Sequence, residues 1–94
     1  SPAQRAYRQI GQSIKILGQE INLAETPTER AQTLTSLLPN AKEPIRDIIH
    51  EYHLDQFSNM IINEDRAKNA GRQVWQMAIK TRARSLLSFK AIRE

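Results

Sequence analysis

The sequence predicts an all-α protein, folded as a compact bundle of about four helices. Each segment with a clear apolar pattern repeats at helical spacing, and none alternates as a half-buried strand does. Signals that begin a helix, a polar cap residue followed by proline or by acidic residues, recur along the chain. Because the connections between these segments are short, we expect neighbouring helices to pack antiparallel.

The first helix is predicted over about residues 2–21. Ser1 is placed to cap it, and Pro2 occupies the first helical position, where its missing N–H is harmless. Gly11 and Gly18 fall inside this predicted helix, where a glycine costs up to ~1 kcal/mol relative to alanine, so they predict the close approach of a neighbour. The apolar seam alternates steps of four and three residues: Ala3, Tyr7, Ile10, Ile14, Leu17 and Ile21.

The second helix has the strongest start signal in the chain. Thr26 precedes Pro27, and Glu29 follows three residues after the threonine, which is the pattern of a reciprocal capping box. The helix is predicted to stop before Pro39, because a proline disfavours the helical conformation of the residue before it. Its apolar side is formed by Ala31, Leu34, Leu37 and Leu38.

The third helix is predicted to begin after Asn40 as cap, with Glu43 three residues later. Pro44 falls in the first turn, where it is tolerated. Leu54 and Phe57 are predicted to close this helix against the core. Its buried face is predicted to hold Ile45, Ile48, Ile49 and Tyr52.

The fourth helix is predicted to follow a short loop that carries the apolar run Met60-Ile61-Ile62. Asn63, followed by two acidic residues, marks its start, and it is expected to end near Ala83. Trp75 is predicted to fill the centre of the core, because one indole can bury ~150–250 Å². The predicted buried face holds Ala67, Ala70, Gly71, Val74, Trp75 and Ala78.

The length of 94 residues predicts a single helical domain over residues 1–94, with an ordered core over about 2–83 and a basic tail over about 84–94. The absence of cysteine excludes disulfides, cysteine metal sites and thiol nucleophiles. No apolar run approaches the ~18–20 residues that span a bilayer, and no signal-peptide pattern is present. Because the sequence begins at Ser1 without an initiator methionine, we expect it to be a piece of a longer protein.

The net charge of +4 is unevenly distributed. Residues 1–24 carry +2, residues 25–65 carry −5, and residues 66–94 carry +7. We consider three interpretations of the basic segment: a solvated helix face that pairs with the acidic middle, a contact with an anionic membrane surface, or a contact with nucleic acid phosphates. The candidate contact residues are Arg66, Lys68, Arg72, Lys80, Arg82, Arg84, Lys90 and Arg93.

Few residues of the chain are candidates for catalysis or metal binding. His50 and His53 are three residues apart with Asp47 nearby, whereas the zinc-protease helix motif places its histidines four apart. We therefore expect these histidines to lie on a solvated helix flank. No Gly-x-Ser-x-Gly turn and no glycine-rich phosphate loop is present. The sequence predicts a chain that is not an enzyme, with no catalytic residue, metal or other cofactor.

The order of several short motifs resembles a known family. The motifs are Ser1-Pro2 with Arg5 and Tyr7, Glu25-Thr26-Pro27 with Glu29, Leu38-Pro39 with Pro44 and Ile45, Tyr52, and finally Ala67, Arg72 and Trp75. The chain resembles the C-terminal cytoplasmic domain of unknown function found in bacterial transglutaminase-like membrane proteins. The resemblance covers about four-fifths of the chain. It departs from the family at Phe57-Ser58, where the family has Tyr-Gly.

The resemblance implies a domain that follows the last membrane span of a larger, peptidase-like protein and lies on the cytoplasmic side of the bacterial inner membrane. The family's catalytic Cys, His and Asp belong to another domain, so no catalytic residue carries over. Positive charge beside a span is favoured on the cytoplasmic side.

We therefore expect a non-catalytic interaction or regulatory domain whose partner is a protein or the inner membrane surface. The alternative is a stand-alone basic helical module that binds nucleic acid through residues 66–93. The sequence leaves the oligomeric state open.

Overall fold

A computed structural model describes residues 1–57 and 63–93, with the side chains of residues 1–56 and 63–87. It confirms an all-α bundle of four helices. These are α1 (Pro2–Ile16), α2 (Pro27–Leu37), α3 (Lys42–Phe57) and α4 (Glu64–Arg93), with a 3₁₀ turn (Pro39–Ala41) between α2 and α3. The predicted loop run Met60-Ile61-Ile62 lies outside the described residues, as does the side chain of Phe57.

Three predicted helix starts are confirmed. The Ser1 hydroxyl accepts a hydrogen bond from the third helical amide of α1 at 3.2 Å. The Glu29 amide donates to the Thr26 hydroxyl at 3.2 Å, and the Thr26 amide donates to the Glu29 carboxylate at 3.0 Å. The hydrogen bond from the Thr26 backbone holds the pKa of Glu29 below its usual value. The Asn63 side chain caps α4 by accepting from the Arg66 amide at 3.0 Å.

The end of α1 differs from the prediction. The helix stops at Ile16 rather than near residue 21, and Gly18 lies beyond it with φ of +86°. A residue in this left-handed conformation ends a helix, and glycine adopts it without a steric penalty. The expectation that Gly18 lies within the helix is therefore wrong.

The chain then turns back along α1. A Cβ atom added to Gly11 would lie 3.2 Å from Cδ1 of Ile21, so the predicted close approach at Gly11 is confirmed. The Arg30 guanidinium, in the first turn of α2, lies 5.8 Å from the ring centroid of Tyr7, in the first half of α1. The end of α2 lines a recess with Lys80 and Arg84 of α4, and Arg82 lies against Gly18 just beyond the end of α1, so α1 and α2 run in the same direction. The expectation of antiparallel neighbours is wrong for this pair, because residues 17–26 form a returning connection.

The start of α3 also differs from the prediction. Asn40 lies within the 3₁₀ turn (Pro39–Ala41) rather than at the cap position before a helix. Pro44 lies in the first turn of α3, as predicted. The chain passes from α2 into α3 through Pro39, whose ring cannot continue a helix but fits the start of a tight turn.

The core is made of aliphatic and small side chains from all four helices. On α3, Ile45 and Ile48 are buried, while Ile49 is half-buried. Tyr7 and Tyr52 are half-buried and stack with ring centroids 4.3 Å apart. Burial raises the pKa of Tyr7, although the nearby Arg30 charge opposes this shift. The largest fully buried residues are Ile10, Ile14, Leu34, Ile45, Ile48 and Val74.

The largest helix interface joins α1 to α4. A Cβ atom at Gly71 of α4 would overlap the Gln9 side chain and lie 3.1 Å from Cβ of Ala6 on α1. Near the other end of α1, the Arg82 guanidinium lies against Gly18. The two helices therefore run parallel, and small residues let their backbones approach closely.

The predicted position of Trp75 in the core is wrong, because its side chain is 40% exposed. The buried positions of α4 are Ala67, Ala70, Gly71, Val74 and Ala78, all small side chains except Val74. The close packing of α1 leaves no space there for an indole. Residue 75 is turned about 100° from Val74 around the helix axis, which places it outside the buried stripe.

The end of α4 also differs from the prediction. The helix continues past Ala83 to Arg93, because residues 84–93 contain neither glycine nor proline. The segment expected to be a basic tail is therefore a continuation of the helix up to that residue. A helix of this length is about 45 Å long, so α4 is much longer than the other three helices.

We predict that Gly71→Leu lowers the free energy of unfolding by about 1–3 kcal/mol, because the larger side chain would force α1 away from α4. Gln76→Leu is the matched control, since it adds the same side chain at an exposed position of the same helix. Urea denaturation followed by circular dichroism measures both. Equal stability of the two variants would contradict the close packing at Gly71.

We predict that Trp75→Ala lowers the free energy of unfolding by no more than about 2 kcal/mol, because much of the indole is already in water. Ile10→Ala removes a fully buried side chain and should cost about 2–5 kcal/mol. Thermal and urea denaturation of both variants provide the comparison. A larger loss of unfolding free energy for Trp75→Ala than for Ile10→Ala would show that the tryptophan is buried in the core.

Candidate interaction surface

All eight basic candidate residues lie on α4. The six whose side chains are described are all exposed, and the side chains of Lys90 and Arg93 lie outside the described part. Residues 66–93 include no aspartate or glutamate. Most of α4 therefore presents positive charge to solvent with no negative charge of its own to balance it.

The described cations divide between two sides of the helix. At about 100° per residue, Arg66, Lys80 and Arg84 fall on the side of α4 toward α2 and α3. Lys80 and Arg84 line a surface recess with the end of α2. Lys68, Arg72 and Arg82 fall on the other side, next to exposed apolar residues.

This second side forms the α4 stripe, which we define as Lys68, Arg72, Trp75, Ile79, Arg82 and Leu86. Its residues follow alternating steps of four and three, which keeps them in one line along a helix. Trp75 is 40% exposed, Ile79 39% and Leu86 51%. Three large apolar side chains are therefore partly exposed to water, with cations on the same line of the helix.

The cations of the α4 stripe were predicted from the sequence as contact residues, but its apolar members were not. The signal was present, since the alternating spacing is the one that predicted the buried seam of α1. It was missed because Trp75 was assigned to the core and Leu86 to a tail. The small residues of α4 supply the buried face instead.

A cleft of about 540 Å³ lies where the start of the α4 stripe meets the start of α1. Arg5 of α1 joins Lys68 and Arg72 in its lining, together with Trp75. Within the described part of the chain, these three cations have no acidic partner within 4.0 Å. The cleft also borders the carboxylates at the start of α4, and its lining is Pro2, Arg5, Ala6, Gln9, Glu64, Asp65, Lys68, Arg72 and Trp75.

Arg82 occupies a different environment farther along the α4 stripe. A Cβ atom at Gly18 would lie 3.2 Å from Nη1 of Arg82. This places the guanidinium just beyond the C-terminus of α1, where the helix dipole favours a positive charge. Arg82 therefore has a structural role that Lys68 and Arg72 lack.

Glu51 holds the start of α4 against α3. It is a buried carboxylate on α3, with its side chain only 3% exposed. It accepts a hydrogen bond from the Asn63 amide at 2.9 Å and lies 3.9 Å from Nη1 of Arg66. This is the only ion pair among the described residues, so the described acidic middle does not neutralise the basic helix.

We predict that Glu51→Ala lowers the free energy of unfolding by about 1.5–3 kcal/mol, because the partly buried hydrogen bond from the Asn63 amide loses its charged acceptor. Glu51→Gln keeps an oxygen acceptor of the same reach and should cost less. Arg66→Gln should change stability by under ~1 kcal/mol, since Arg66 is exposed and the ion pair is long. Urea denaturation compares the three variants, and equal losses for Glu51→Ala and Arg66→Gln would contradict this order.

The histidine pair lies on α3, away from the α4 stripe. His50 is exposed and His53 is half-buried, and both line a groove between α2 and α3. In residues 1–57 and 63–93 no three His, Cys, Asp or Glu side chains are grouped so that they could hold a metal ion. None of the described helices combines the length and the apolar character that crossing a membrane requires.

Comparisons of the chain with protein-family models, with curated proteins and with solved structures found no match. The fold class is therefore established by the helices themselves. The resemblance to the cytoplasmic domain of transglutaminase-like membrane proteins stays a prediction.

Proposed function

We propose that this chain is a non-catalytic interaction module that binds an anionic membrane surface through the α4 stripe. The observation that carries the proposal is the line of exposed Trp75, Ile79 and Leu86 with Lys68 and Arg72 on the same side of the helix. In the setting that the resemblance implies, this surface is the cytoplasmic face of the bacterial inner membrane. The module would then hold part of a transglutaminase-like protein close to that membrane.

The two kinds of residue in the α4 stripe suit the two layers of a membrane surface. A cation near anionic headgroups gains about 1 kcal/mol at moderate salt. Tryptophan favours the headgroup region, and aliphatic side chains insert at its boundary with the acyl chains. The two acidic residues of α4, Glu64 and Asp65, border the start of the stripe, and no acidic residue follows them along the helix to oppose this approach.

Only part of α4 is available for such a contact. The opposite side of the helix is buried against α1 and α3 through Ala67, Val74 and Ala78. The helix would therefore lie along the membrane plane as one edge of a folded bundle. The expected attachment is peripheral and weakens as salt rises.

A specific observation favours nucleic acid as a second candidate ligand. The cleft at the start of the α4 stripe combines Trp75 with Arg5, Lys68 and Arg72. A base can stack on an exposed indole while cations bind its phosphates. Membrane binding is the better-supported function, because Ile79 and Leu86 extend the stripe as apolar surface beyond this cleft.

We predict that the chain binds vesicles of phosphatidylcholine with 30% phosphatidylglycerol and does not bind vesicles of phosphatidylcholine alone. Trp75 is the only tryptophan of the chain, so a blue shift of its emission reports burial of the α4 stripe directly. The double variant Lys68→Gln, Arg72→Gln should lower the partition coefficient about 30-fold, from a loss of about 1 kcal/mol per cation.

The matched control is the double variant Arg8→Gln, Arg46→Gln, which removes the same charge from exposed positions of α1 and α3. It should lower the partition coefficient by less than about threefold. Leu86→Ser should weaken vesicle binding but leave binding to a single-stranded oligonucleotide unchanged. No emission shift with anionic vesicles at low salt, together with salt-sensitive oligonucleotide binding, would replace the first function with the second.

A further inference from the structure

A groove of about 740 Å³ lies between α2 and α3. Among the described residues, α2 packs against α1, α3 and the 3₁₀ turn, and its backbone does not approach that of α4. The groove is therefore a surface separate from the α4 stripe, and none of its lining residues belongs to α1 or α4. Binding in this groove therefore does not depend on the membrane contact proposed above.

The floor of the groove is apolar. Ala31 and Ile45 are buried, and Ile49 is half-buried beside them. Two of the three α2 hydroxyl groups that line the groove are used within that helix: the Thr35 hydroxyl donates to the Ala31 carbonyl at 2.8 Å, and the Ser36 hydroxyl donates to the Gln32 carbonyl at 3.1 Å. These donors need no partner from a molecule in the groove, so apolar side chains can cover them at little cost.

The rim of the groove carries positive charge. Lys42 and Arg46 line it from α3, and both are exposed. No described residue of the lining is acidic. The occupant that complements this surface has an apolar side to meet Ala31, Ile45 and Ile49, and acidic residues that flank it.

The shape of the groove favours a helix as that occupant. Residues 28, 31, 32, 35 and 36 of α2 form one wall of the groove. Residues 42, 45, 46, 49, 50 and 53 of α3 form the other, and both sets have helical spacing. Each wall therefore presents one continuous helix side of about 12–16 Å. The gap between two such walls matches the apolar side of a helix of two to three turns.

The exposed apolar surface of a second copy of this chain does not suit the groove. The α4 stripe is the described surface with large exposed apolar residues in a row, but residues 66–93 carry only cations. Cations of α4 would face Lys42 and Arg46 across such a contact. Two copies of the groove itself would also oppose like charges.

We propose that the groove between α2 and α3 binds an acidic amphipathic helix of a partner protein. Apolar residues of that helix, spaced by three and four, cover Ala31, Ile45 and Ile49. Its acidic residues pair with Lys42 and Arg46 at the rim. The module thus has two separate binding surfaces, a basic–apolar stripe on α4 and a groove for an acidic helix on α2 and α3.

The test uses two fluorescein-labelled 15-residue peptides with leucines at helical spacing, one flanked by glutamates and the other by lysines. Binding to the full chain is followed by fluorescence anisotropy, and the site is located by backbone amide shifts in NMR spectra. We expect the glutamate peptide to bind and to shift amides of α2 and α3. We expect the lysine peptide to bind at least tenfold more weakly.

Two double variants locate the charge effect. Lys42→Glu, Arg46→Glu should weaken the glutamate peptide about tenfold, whereas Arg8→Glu, Lys15→Glu makes the same charge change at exposed positions of α1 outside the groove and should change binding less than twofold. Ile49→Asp, checked for folding by circular dichroism, should also weaken it. Equal binding of both peptides, shifts confined to α4, or a dimer that covers the groove in sedimentation would overturn the proposal.

Discussion

The close contact between α1 and α4 at Gly71 and Ala6 determines which residues of α4 can be buried. It brings the two backbones so near that the buried face of α4 holds almost only alanine and glycine. An indole has no space in that interface, so Trp75 lies at its edge. The exposure of Trp75 on the α4 stripe thus follows from the packing of α4 against α1. When the small residues of a helix face the core, its large apolar residues lie at the surface, where they are available to contact a partner.

The parallel direction of α1 and α4 also depends on the reversal of the chain at Gly18. A helix that continued to residue 21 would carry the chain away from the start of α1. Instead the chain turns back, Ile21 packs on Gly11, and α2 begins beside Tyr7. This arrangement places α1 and α3 between α2 and α4, since each of them packs against both, while the backbones of α2 and α4 do not approach each other. The groove and the α4 stripe are therefore separate surfaces of one small bundle, which suits a module that connects two partners.

Sequence patterns predicted the starts of the helices more reliably than their ends. Ser1, Thr26 and Asn63 begin helices by local hydrogen bonds within a few residues, and such bonds depend little on distant packing. The predicted ends of α1 and α4 were wrong in opposite directions. The first helix ends earlier than predicted, at Ile16, and the last ends later, at Arg93. Gly18 was compatible with both a helix and a turn, and no residue after Ala83 forces a stop. The cations of the candidate site were identified, but the apolar members Ile79 and Leu86 were not.

The sequence alone predicts the all-α class, the number of helices, the caps of α1, α2 and α4, and the excess of positive charge on the last helix. Each of these follows from spacing or composition within one segment. Only the tertiary structure decided which side of α4 is buried, where Trp75 lies, and which cations share a surface with Arg5. Two interleaved seams on α4, one of small residues and one of large residues with cations, are both helical in spacing. The choice between them rests on how closely α1 approaches, which is a property of two helices together and of neither alone.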